Sequence, residues 1–111
     1  MVGEWIKQNP EAIAFSSHSA VGPIPILEDT RILKVLFLRD PVARIQSAYK
    51  FQRKQKVETY GSRLAKQSDF GSYVRAHLAN KGNRLCRNFQ TAFTAAFMPG
   101  EGPELDRAKR A

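Results

Sequence analysis

Apolar and polar positions divide the chain into segments of different period. Glu4 to Gln8 reads as a short helical turn, stopped before Asn9-Pro10 because the residue before a proline avoids the helical region. Ala12-Ile13-Ala14-Phe15 is a short apolar run of the kind a buried strand shows. Val21-Gly22-Pro23-Ile24-Pro25 must be loop, since two prolines two apart suit neither a helix nor a central strand. Ile32 to Leu38 is apolar at every position but Lys34, which predicts a strand of a parallel sheet covered on both faces. Arg39-Asp40-Pro41 ends it. Asp40 suits an N-cap, and Pro41 suits the first helical position, where its missing N–H would have no partner anyway.

The period then becomes helical. A helix is expected from Pro41 to Lys54, with Val42, Ile45 and Tyr49 on one stripe. Val57 to Gln67 is polar and mixed, and Gly61-Ser62 reads as a break. A second helix starts at Ser68 or Asp69, because Phe70, Tyr73, Val74, His77 and Leu78 complete an amphipathic face. Asn80-Lys81-Gly82-Asn83 stops it. Leu85, Phe89, Phe93 and Phe97 recur every four residues and predict a third helix. Residues 99–111 read as a loop followed by the start of a helix cut short, with acidic residues in its first turn and basic ones after.

Composition narrows the class. The 111 residues are 42% hydrophobic and 25% charged, a globular balance that excludes full disorder. One cysteine, Cys86, excludes an internal disulfide and a cysteine-based zinc site, and two histidines, His18 and His77, leave little for any metal site. No metal is expected. The lone cysteine fits a cytoplasmic setting. The alternative is a membrane-associated protein anchored by a segment ahead of these residues.

The net charge of +8 is concentrated. Residues 1–30 hold one basic and four acidic side chains, residues 31–97 fourteen basic and three acidic, and the last fourteen residues three of each. A cationic block of this kind favours an anionic partner: nucleic acid, a phosphorylated cofactor, an acidic glycan or an anionic membrane face. Arg53, Lys54, Lys56, Arg63 and Lys66 are its densest run. They serve equally a glycan, a solvated surface, or a basic nucleic-acid-binding module. Only Phe51 and Tyr60 lie among them as stacking aromatics, which disfavours a nucleic-acid polymer.

One unit carries chemistry: an apolar strand, Arg39 at its carboxyl end, an Asp-Pro helix start, and Ser47 in the second helical turn. Ligands of open parallel sheets bind beyond the carboxyl ends of strands. There Arg39 lies beside a helix N-terminus and can grip a phosphate through two parallel hydrogen bonds, with the Ser47 hydroxyl as a neutral donor.

Val35 to Tyr49, with its Leu38-Arg39-Asp40-Pro41 and Ser47-Ala48-Tyr49, resembles the 3′-phosphate-binding motif of sulfotransferases that use 3′-phosphoadenosine 5′-phosphosulfate (PAPS), the carbohydrate-type branch in particular. Asn88-Phe89-Gln90-Thr91 and Leu105 to Lys109 are similar to that branch too, so the resemblance spans most of residues 12–111. It implies an α/β fold, a partial P-loop-like sulfotransferase domain over residues 1–111 with parallel strands flanked by helices, truncated at both ends. It implies that Arg39 and Ser47 bind the 3′-phosphate of PAPS or its product, adenosine 3′,5′-bisphosphate. It implies transfer of a sulfuryl group to a hydroxyl or amine, with a glycan as the expected acceptor. His18, at the end of the run 12–15, corresponds to the catalytic base of several members. The family's N-terminal loop for the 5′-phosphosulfate has no counterpart before residue 35, so little activity is expected of this stretch alone.

Overall fold

The computed structural model describes residues 2–17 and 20–111. Among the described residues six helices form: α1 (Val2–Gln8), α2 (Pro41–Lys54), α3 (Tyr60–Gln67), α4 (Phe70–Ala79), α5 (Phe89–Ala95) and α6 (Glu104–Arg110). Two compact units result, one of residues 37–90 and one of residues 1–36 with 91–111.

The α/β expectation is overturned. Among the described residues there is no sheet, and the one β-type contact is an isolated bridge between Leu27 and Thr30 that closes a tight turn. Residues 12–15 and 32–38 form no strand, and the parallel strands flanked by helices are absent. The physical reason is that a strand is held by neighbours along both edges. The run 32–38 finds none here. Its side chains still alternate, with Ile32, Lys34 and Leu36 half-buried and Leu33, Val35 and Phe37 exposed.

In the unit of residues 37–90, α2, α3 and α4 pack together. Asp40 caps α2 through Oδ1, which accepts from the Ala43 amide at 2.8 Å. Ile45 and Tyr49 face inward, and Val42 of the same expected stripe is exposed. The break expected at Gly61-Ser62 is instead the first turn of α3. Thr59 and Ser62 cap each other reciprocally, each side chain accepting from the other's amide at 3.1 and 2.8 Å. The Ser62 hydroxyl, fully buried, also donates to the Val57 carbonyl. Asp69 caps α4.

Tyr49, Ala65 and Tyr73 form the core of this unit, with Ile45, Leu64, Phe70, Val74 and Leu85 against it. Tyrosines suit such a site only when their hydroxyls find partners. Tyr49 donates to the Ser68 carbonyl and Tyr73 to Gln52 Oε1, each at 2.7 Å.

In the other unit, Trp5 of α1 packs edge-on against Phe15 at 4.8 Å between ring centres. The third expected helix is shorter than its apolar period, because its Leu85 end is turn and loop. Arg107 of α6 donates to the carbonyl of Ala95, which also accepts from the Met98 amide, and to the carbonyl of Met98.

Candidate functional site

Arg39 stands at the start of α2, and its main chain is gripped from a distance. The Gln90 carboxamide accepts from the Arg39 N–H at 2.9 Å and donates to the Arg39 carbonyl at 2.7 Å. This two-point contact reproduces, with a side chain, the pairing a neighbouring strand would offer. The Arg39 side chain is exposed, and its guanidinium makes no hydrogen bond or ion pair among the described residues. It is available to an anion.

The helix N-terminus is already occupied. Pro41 has no N–H, Ala43 donates to the Asp40 carboxylate, and Arg44 donates to the Asp40 carbonyl. An anion here would therefore meet the charge of Arg39 more than the helix dipole, with the Asp40 carboxylate opposing it. Ser47 is exposed, two turns along α2 and seven residues after Asp40 on the same face, about 10 Å further along the axis. Arg39 and Ser47 are thus both exposed, one just ahead of α2 and the other in its second turn.

Arg44, three residues before Ser47, is not part of that surface. Its guanidinium donates to the Leu85 carbonyl and lies 4.4 Å over the Phe89 ring. Burial lowers its pKa from the ordinary arginine value, with nearby Cys86 and Tyr73 acting the other way. Burial also raises the Cys86 thiol, which argues against a reactive thiolate. His18 lies outside the described residues. His77 is a packed core side chain, 2% exposed.

The basic run is partly spent on the protein itself. Arg53 donates to the Tyr49 hydroxyl and lies over its ring, and Lys66 pairs with Glu58 at 2.5 Å. That pair is solvent-exposed and adds little stability. Lys50, Lys54, Lys56 and Arg63 remain exposed. Sequence reasoning missed the role of Gln90, because nothing local ties it to a main chain 51 residues away.

In the unit containing α1, an open cavity of about 410 Å³ is lined mainly by apolar side chains, among them Ile6, Phe15, Ile24, Leu36, Phe93 and Phe97. Among the described residues no cluster of His, Cys, Asp and Glu is placed to hold a metal ion, and no helix is long and apolar enough to cross a membrane.

No family model matches the chain, and no solved structure matches it. It is similar to an uncharacterized protein of Archaeoglobus fulgidus, 40% identical in an 81-residue alignment that covers 68% of this chain and 32% of that protein. The chain thus spans about a third of the length of that relative.

Proposed function

We propose that these residues are the phosphate-gripping part of a PAPS-dependent sulfotransferase, acting within a longer protein on a glycan acceptor. The observation that carries this reading is Arg39. Its main chain is held on both sides, its guanidinium has no internal partner among the described residues, and an exposed serine lies on the helix it opens. The reading needs a fixed arginine beside a helix start, and a phosphate monoester as the ligand.

Arg39 would hold the 3′-phosphate through paired charge-assisted hydrogen bonds, and Ser47 would donate one neutral bond. PAPS, when bound, supplies the sulfuryl group: the acceptor oxygen bonds to sulfur, the bond from sulfur to the 5′-phosphate oxygen breaks, and the acceptor's proton passes to a base. The chain's own contribution is binding and orientation, which dominate transfer reactions of this kind.

Calorimetry with adenosine 3′,5′-bisphosphate and adenosine 5′-monophosphate tests the reading. The bisphosphate should bind more tightly. Arg39→Ala should cost about 1.5–3 kcal/mol of that affinity and Ser47→Ala about 0.5–1.5. Equal affinity for the two nucleotides, or no loss in Arg39→Ala, would refute it. Displacement of the bisphosphate by duplex DNA would favour a nucleic-acid-binding module.

A further inference from the structure

The side chain of Gln90 does more than decorate the start of α5. Its carboxamide spends both its oxygen and its nitrogen on the main chain of Arg39. The planar carboxamide is thereby turned toward the Arg39 main chain. The residues around it are arranged to deliver it. Asn88 adopts a left-handed conformation with φ of 49°, a turn that asparagine tolerates better than most residues. The loop is clamped to α2 at a second point, where Arg44 reaches the Leu85 carbonyl and covers the Phe89 ring.

Arg39 needs such a brace. Residues 31–38 ahead of it make no backbone hydrogen bond among the described residues, so the chain arrives at the arginine without a ladder. The α2 cap fixes the chain only from Asp40 onward. A guanidinium on an unrestrained backbone would sample many directions, and binding would have to order it.

We infer that Gln90 is a positioning residue for the anion-binding arginine, fixing the Arg39 main chain from both sides so that its guanidinium is presented beside α2 without Gln90 touching the ligand. This rests on the phosphate reading of Arg39 given above. It goes beyond that reading by assigning a distinct role to a distant residue.

Two measurements on the 111-residue chain test it. The first needs no ligand. Amide hydrogen exchange by NMR should show the Arg39 N–H at least about tenfold faster in Gln90→Ala, with the Tyr49 amide in the middle of α2 unchanged. The second is a double-mutant cycle on adenosine 3′,5′-bisphosphate binding. Gln90→Ala should weaken binding about fivefold in the wild-type background and have no effect in Arg39→Ala. Gln90→Met keeps the length and helix preference of the side chain, removes both hydrogen bonds without adding charge, and gives the same comparison should the alanine variant lose helicity. An unchanged Arg39 exchange rate, or an equal loss of affinity in both backgrounds, would overturn the inference. If Arg39→Ala itself leaves affinity intact, the phosphate reading fails and the positioning role with it, a result separated from the first case because the exchange measurement still reports the brace.

Discussion

His77 lies edge-on against Tyr73, with ring centres 4.4 Å apart, and neither of its nitrogens has a hydrogen-bond partner. Tyr60 also meets the His77 ring edge-on, with ring centres 5.9 Å apart. The nearby Asn83 side chain opposes the effect of burial, and burial is the larger of the two. Burial therefore holds the imidazole below its ordinary value of 6.5, and the ring is neutral in the core. The same burial pushes the Tyr73 hydroxyl up to about 12.

Stability of this helical unit should accordingly fall in acid. The unfolded chain protonates His77 first, so the contribution is complete above pH ~6.5 and is lost as pH falls below that toward the depressed folded value. Urea midpoints at pH 7.5 and 5.5 measure it. The decline should shrink in His77→Phe, which keeps the ring packing and removes the proton site. An identical decline in both proteins would show that other groups set the pH dependence.

Asp40 separates stability from binding. Asp40→Ala removes the acceptor for the Ala43 amide and should cost about 1 kcal/mol in thermal or urea unfolding. Asp40→Asn keeps an acceptor and should cost no more than a few tenths. Because it also removes a negative charge beside Arg39, it should tighten binding of adenosine 3′,5′-bisphosphate at low salt, with the gain fading at high salt. Weaker binding in Asp40→Asn would show that the Asp40 carboxylate does not oppose an anion at Arg39.

The caps of α2 and α4 and the face of Phe70, Tyr73, Val74 and His77 were legible because each signal lies within a turn or two of the residues it organises. The start of α3 was equally local but was hidden by Gly61. A glycine beside a serine reads as a break, yet Ser62 stands three residues after Thr59 and completes its capping box. The run 32–38 misled for a different reason. An apolar stretch tells how much surface wants covering, and not whether a neighbouring strand exists to cover it. The brace on Arg39 was out of reach, because its partner lies 51 residues on and is joined to it through the main chain.

Leu33 and Val35 show the cost of that unpaired run. They are 72% and 73% exposed and lie on the same side of an extended segment. The 111-residue chain should self-associate as its concentration rises. Sedimentation velocity should show less association in Leu33→Glu, Val35→Glu, with the helical circular dichroism unchanged. Equal association in the variant would place the sticky surface elsewhere.

Gly61 allows the last and sharpest check, because the sign of one substitution should depend on another residue. A Cβ at Gly61 would stand 2.5 Å from Gln52 Oε1 and 2.8 Å from its Cδ. The Gln52 side chain is flexible, but its oxygen is committed, since it accepts from the Tyr73 hydroxyl at 2.7 Å. Tyr73 is fully buried, so moving Gln52 strands a buried hydroxyl, at a cost of about 1–3 kcal/mol. Alanine's better helix propensity returns at most about 1 kcal/mol, and less in the first turn of α3. Gly61→Ala should thus destabilise the protein by about 1 kcal/mol. In a Gln52→Ala background the clash and the hydrogen bond are both gone, and the same Gly61→Ala change should be neutral or stabilising. Chemical denaturation of the four proteins gives the answer. Destabilisation of equal size in both backgrounds would mean that the space at Gly61 is guarded by something other than the Gln52–Tyr73 bond.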